Sequence, residues 1–220
     1  MIAKDLLEVE ISPLQHTDTA EIALHWMDEF KVSHLPVLKN DNFVGLISES
    51  DILDRMDLDQ TLDVLFDHLP RPYVFEDAHI YEILQKISEH KISVVPILTK
   101  EEKYVGCTTV HQVVAMIGNT GGIKEHGAIL VLEVNQIDYS LAQIAQIVES
   151  NNAKILSSYI MSSPDSTKLE VTLKINKTEL DPIIRTFERY DYTISASFQK
   201  SDFNDDLQLR YDSLINYLKL

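Results

Sequence analysis

Cysteine is nearly missing from this chain of 220 residues: Cys107 stands alone, so an internal disulfide and a thiolate metal cluster are both excluded. Set between Gly106 and Thr108 in an apolar run, it reads as a small buried hydrophobe. Glycine is scarce too, and the six present form no Gly-rich phosphate loop and no Gly-x-Ser-x-Gly nucleophile turn. The eight histidines never recur at His-x-x-x-His spacing and none sits beside a nucleophile motif, so no metal or catalytic constellation is expected. Nineteen basic residues face 35 acidic ones, a net charge of -16 that repels nucleic-acid phosphates and anionic membranes. The start, Met1 to Glu8, lacks a basic segment leading into an apolar run, and no apolar stretch is long enough to cross a bilayer. The expectation is a soluble, cytoplasmic protein with neither nucleic acid nor membrane as partner. Hydrophobic residues make up 45% of the chain, enough for real cores in two or three small domains.

What is present in the first half is a repeat. Val32-Ser33-His34-Leu35-Pro36-Val37-Leu38 returns as Ile92-Ser93-Val94-Val95-Pro96-Ile97-Leu98, an offset of 60 that runs back through the preceding segment, Leu24 on Leu84 and Met27 on Ile87. Phe43-Val44-Gly45-Leu46-Ile47-Ser48 returns as Tyr104-Val105-Gly106-Cys107-Thr108-Thr109 at an offset of 61, the extra residue falling in a polar turn. Ala20, Ala23, Leu24 and Met27, matched by Ile80, Ile83, Leu84 and Ile87, have the i, i+3, i+4, i+7 spacing of a helix face. Each unit therefore reads as an extended lead-in (Val9 to Leu14, Tyr73 to Phe75), a helix, two strands joined by a turn, and a second helix. The second helix of repeat one is expected to carry Ile52, Leu53 and Met56 on its apolar side. Gly45 and Gly106 mark places where a neighbour or a ligand approaches the backbone closely. Neither unit is large enough to stand comfortably alone, so the two should pack about a pseudo-twofold axis.

An apolar-Pro-apolar strand, a turn, then Gly-apolar-apolar-Ser/Thr-x-x-Asp resembles the cystathionine-β-synthase (CBS) domain, which usually occurs in tandem pairs; the resemblance covers about residues 1 to 118. It implies binding of an adenosine-containing ligand such as AMP, ADP, ATP or S-adenosylmethionine, the hydroxyl near phosphate and the Asp on the ribose diol. Repeat one fills both positions with Ser48 and Asp51, and His34, Pro36 and Gly45 flank the same cleft. Repeat two has Thr109, but Gln112 replaces the Asp, and an amide cannot hold a diol with charge-assisted strength. Ser48 to Asp51 equally fits a helix N-terminus, Ser48 as cap with acidic residues in the first turn, and Thr109 would do the same.

Beyond Gly118-Asn119-Thr120-Gly121-Gly122, a glycine-dense linker, the pattern changes. Ala128 to Val134 reads as a strand; Leu141, Ile144, Ala145 and Val148 as a helix face; Ile155 to Met161 as a strand; Ser162 to Ser166 as a turn. Leu169, Val171, Leu173 and Ile175 alternate with polar residues, Asp181-Pro182 supplies an N-cap and a first-turn proline, and Tyr192, Ile194, Ala196 and Phe198 alternate again. The order βαββαβ is that of a ferredoxin-like domain. It resembles the ACT domain, whose ligand loop after the first strand corresponds here to Gln136, Asp138 and Ser140, although that loop lacks the family's Pro-Gly turn. Leu207, Tyr211, Leu214, Ile215 and Leu218 form a helical stripe near the end.

The fold class expected is thus α/β and α+β, a CBS-domain pair plus a ferredoxin-like ACT-like domain, in the order of acetoin-utilisation-type proteins. The divisions fall at 1–60, 61–118, a linker 119–126, 127–200 and an amphipathic helix 201–220. The implied role is a regulatory, non-enzymatic, homodimeric ligand sensor acting on an unknown protein target; a dimerisation protein without ligand and an amino-acid sensor are the alternatives.

Overall fold

The computed structural model describes residues 1–8, 10–162 and 167–199, and the chain divides into two compact units, Met1–Gly118 and Asn119–Leu220. The stripe of Leu207 to Leu218 and most of the turn at 162–166 lie outside the described residues.

In the first unit the repeat is realised element for element. The order in repeat one is β1 (Leu14–Gln15), α1 (Ala20–Phe30), β2 (His34–Lys39), β3 (Asn42–Ser48) and α2 (Glu49–Arg55). Repeat two gives β4 (Val74–Phe75), α3 (Ile80–His90), β5 (Val94–Leu98), β6 (Tyr104–Thr109) and α4 (Val110–Gly118). Each three-stranded sheet has a two-residue strand parallel to the first strand of a hairpin. The hairpins share one register, Val37 opposite Gly45 and Ile97 opposite Gly106, with an irregularity at the same place in each. In repeat one Asn40 and Asp41 both have positive φ, 50° and 63°, as a two-residue hairpin turn requires. The longer turn of repeat two absorbs its extra residue between Thr99 and Lys103, whose backbones bond at 2.8 Å.

The cores are exchanged between repeats. Val94 and Cys107 pack with Leu35 and Ile47, while Leu46 packs with Val95 and Ile97. The lead-ins are exchanged as well. A 3-10 helix at Ala3–Leu6 buries Ala3 and Leu6 in the core of repeat two, with the Ala3 N–H donating to the Ala78 carbonyl at 2.9 Å. A second 3-10 helix, Leu62–His68, buries Leu62 and Leu65 against repeat one. Gly45 and Gly106 meet these crossing segments. A Cβ on Gly45 would lie 2.6 Å from Leu69 Cβ and 2.9 Å from the Pro70 carbonyl, and one on Gly106 2.8 Å from Leu7 Cδ2.

The lead-ins pair with the sheets at Leu14–Gln15 and Val74–Phe75, and Glu8 forms a bridge to Cys107. One expectation needs correction here. Leu53 is 64% exposed, since α2 has seven residues and turns Ile52, its neighbour in sequence, into the core.

The second unit contains α5 (Gly121–Lys124), β7 (Ala128–Asn135), α6 (Leu141–Ser150), β8 (Ile155–Ser162), β9 (Lys168–Ile175), α7 (Asp181–Arg189) and β10 (Thr193–Phe198). The sheet order β10-β7-β9-β8 with every neighbour antiparallel is the ferredoxin-like arrangement. Leu130, Leu132, Val171 and Leu173 face Ile144, Val148, Ile183 and Phe187 in its core. Where glycines suggested an open linker, one helical turn forms at Gly121–Lys124. Leu180, not Asp181, occupies the cap of α7, and Gln199 accepts the Leu180 N–H at 2.8 Å in place of a capping carboxylate. A bulge between Ile194 and Ala196 breaks the alternation of β10, so Ile194 stays on the core side while Ala196 and Phe198 pair with Val131 and Ile129 on the other face.

Candidate functional site

The strand register brings the expected residues of repeat one together. His34 stands opposite Ser48, and Pro36, buried, stands opposite Leu46. Ser48 caps α2, as the Asp51 N–H donates to Ser48 Oγ at 3.0 Å. Ser48 Oγ in turn donates to Asp51 Oδ2 at 2.5 Å, and Arg55 Nη1 lies 3.7 Å from Asp51 Oδ1. Cap, hydroxyl and carboxylate thus form a closed local circuit. His34 Nδ1 accepts from the Ser93 N–H at 3.3 Å and lies 3.1 Å from Ser33 Oγ and 3.2 Å from Ser93 Oγ, which ties the two repeats at their equivalent serines. Burial holds the imidazole below the usual histidine range, with the Asp51 carboxylate pulling weakly the other way. The space beside Gly45 is taken by Leu69 and Pro70.

In repeat two the hydroxyl is less committed. Thr109 is 7% exposed and accepts the Gln112 N–H at 3.0 Å, but among the described residues nothing accepts its own proton. It lines a cleft of about 840 Å³ together with Glu8, Glu10 and Ile11 of the lead-in, Glu29 to Val32 at the end of α1, Ser93, and Val110, His111 and Val114 of α4. Ile11, Phe30, Val32 and Val114 give this cleft an apolar wall. A smaller hollow of about 530 Å³ lies beside Ser33, Glu49 and Leu53. The pairing of a crossing lead-in with the other repeat's helix start is what sequence reading missed, because it depends on contacts between residues about 100 apart.

In the second unit Ser140 caps α6 by accepting the Gln143 N–H at 3.3 Å, and Gln136 is exposed. Asp138 accepts from Asn135 at 3.0 Å and lines a cavity of about 310 Å³ with Glu133, Gln143, Lys168 and Tyr192. Lys168 pairs with Glu133, and Tyr192 donates to Gln143 at 2.8 Å. Cys107, deep in the first unit, has its thiol pushed up to about 11 by burial and is not a nucleophile at neutral pH. Among the described residues no cluster of His, Cys, Asp and Glu could hold a metal ion, and no helix is long and apolar enough to cross a membrane.

A strand-helix-strand-strand-helix unit, doubled about exchanged cores with a cleft between the two repeats, defines a tandem-repeat module. Residues 10–58 and 67–119 match the CBS domain model, and the first unit is a CBS-domain pair. A CBS domain pair/ACT domain protein from Thermotoga maritima is similar in structure, 23% identical with a TM-score of 0.47, the match covering 53% of this chain and 96% of that one. A structure named as an acetoin utilization protein from Vibrio cholerae is 24% identical with a TM-score of 0.47, over 54% of this chain and 91% of that one. A homoserine O-acetyltransferase of Methanosarcina acetivorans is 25% identical over 126 residues, 54% of this chain but only 22% of that enzyme, so the chain spans about a fifth of its length.

Proposed function

We propose that this chain is a regulatory protein rather than an enzyme, whose CBS pair binds an adenosine-containing ligand between its repeats. AMP, ADP, ATP and S-adenosylmethionine are the candidates. Binding at the junction of exchanged cores changes how the repeats, or two copies in a cytoplasmic homodimer, are held together. The observation that carries the reading is the cleft of about 840 Å³ at Thr109, with an apolar wall for a purine and an uncommitted hydroxyl donor. Ser48 and Asp51, flanked by His34, Pro36 and Gly45, are the second proposed position. There a ligand must first compete with the Ser48–Asp51 bond. A homodimer is favoured by exposed apolar side chains on α1 and α2: Ile22, Trp26 and Leu53.

Calorimetric titration with the four ligands tests this. Binding at millimolar concentration or tighter is expected, weakened tenfold or more by Thr109→Val. Loss of binding in Asp51→Ala alone would move the site to repeat one. No heat and no thermal stabilisation with any ligand would sink the adenosine reading.

The cavity lined by Asp138 favours a second, independent reading, a small polar ligand such as an amino acid in the ACT-like unit. Chemical shifts of Asp138 and Gln143 should then move on adding mixed amino acids, and a still spectrum would discard it.

A further inference from the structure

We infer that the Thr109 cleft selects adenosine ligands by charge, favouring a 5′ arm that is cationic or uncharged over one that ends in phosphate. The inference rests on the adenosine reading of the same cleft. Three carboxylates line it, Glu8, Glu10 and Glu29, against two groups able to carry positive charge, Lys31 and His111. Lys31 is already committed, its Nζ 2.9 Å from Asp28 Oδ1. Net charge of the lining is therefore negative at neutral pH, and two of the glutamates, Glu10 and Glu29, are exposed at the rim where an entering anion meets them first.

Backbone geometry points the same way. A helix start binds phosphate through its free N–H groups. At α4 two of the first three are in use: the Val110 N–H donates to the Ser93 carbonyl at 3.0 Å and the Gln112 N–H to Thr109 Oγ1 at 3.0 Å. The Thr109 hydroxyl, on a residue only 7% exposed and with its proton unaccepted among the described residues, is the side-chain donor left at the cleft, beside the His111 N–H. Neutral donors such as these suit a ribose hydroxyl or a single carboxylate oxygen; they cannot balance a phosphate dianion beside three glutamates. A sulfonium or ammonium arm instead gains from each of them. S-adenosylmethionine has that chemistry, and free adenosine is the uncharged reference.

The test is calorimetry on the full chain with S-adenosylmethionine, adenosine, AMP and ATP. S-adenosylmethionine should bind tightest and adenosine next, with AMP at least tenfold weaker than adenosine and ATP weaker again. Raising salt from about 50 mM to about 500 mM should narrow the adenosine–AMP gap, because rim charges are screened. The triple variant Glu8→Gln, Glu10→Gln, Glu29→Gln should reduce the gap to under threefold. Glu10→Gln alone, at an exposed position, should narrow it in part and serves if the triple variant does not fold. AMP or ATP binding as tightly as adenosine overturns the inference while leaving the adenosine reading in place. So does a gap unaltered by salt and by Glu10→Gln, or one abolished by Asp51→Ala. Binding by none of the four overturns both.

Discussion

Repeat one and repeat two carry the same backbone and put different chemistry on it. Their hairpins agree in register and irregularity, their first helices both end on a lysine in the left-handed region, and their second helices both start on a capping hydroxyl. Yet Ser48 closes on Asp51, whereas Thr109 keeps its proton and faces the larger cleft. The repeat with the fuller motif is the one whose polar groups satisfy each other. A carboxylate three residues after a capping hydroxyl can accept that hydroxyl's proton, and Asp51 does so. Gln112 leaves Thr109 no such partner.

The exchanged cores give the largest effect with which to break this picture of two repeats as one body. Leu46 belongs to repeat one by sequence and to the core of repeat two by packing, and it is 1% exposed. Leu46→Ala should cost about 2–5 kcal/mol. Its equivalent, Cys107→Ala, removes only a sulfur and should cost about 1 kcal/mol. Trp26, the chain's single tryptophan, sits on α1 of repeat one and stacks on Phe30 at 5.3 Å, so its fluorescence reports that repeat. If Leu46→Ala leaves the Trp26 unfolding midpoint unmoved, the repeats unfold separately and the picture fails.

A smaller difference lies at one equivalent pair, His34 and Val94. His34 titrates and Val94 does not. Since the folded-state pKa of His34 is depressed by burial, its contribution is fully present above the ordinary histidine value of 6.5 and is lost as pH falls through the lower folded value. The loss should be comparable to the one hydrogen bond that protonation of Nδ1 breaks, about 0.5–1.5 kcal/mol. His34→Val, copying repeat two, should flatten urea-midpoint stability between pH 6.5 and pH 5 relative to the parent; an unchanged slope would assign the pH dependence elsewhere.

Much of the backbone was legible because the signals are local. Alternation at Leu169 to Ile175 and the face Ala20 to Met27 report a period, and two copies of one motif report their own register. Exposure of Leu53 was not legible, because a helix of seven residues can bury one side chain and turn the next to water. Nor was the bulge near Ser195, which no composition cue marks in a strand of small residues. For the site, types and spacing placed Ser48, Asp51 and Thr109 at helix starts as expected. Which hydroxyl would stay uncommitted depended on a 2.5 Å contact and on lead-ins that cross to the opposite repeat, and both arise only on folding.

The finest comparison is between the two lysines that end α1 and α3. Lys31 and Lys91 have φ of 55° and 54°, a region where a side chain costs roughly 1 kcal/mol and glycine costs nothing. Glycine also loosens the unfolded chain, which offsets part of the gain. Lys91→Gly should therefore stabilise by about 0.5 kcal/mol. Lys31→Gly should gain less, because Lys31 also pairs with Asp28, a contact that the equivalent position lacks among the described residues. Urea unfolding in high salt separates the two contributions: screening weakens the exposed ion pair and should bring the variants together, while the backbone effect is unaltered. If Lys31→Gly gains as much as Lys91→Gly at low salt, the Asp28 pair contributes nothing and the repeats are energetically alike at this position.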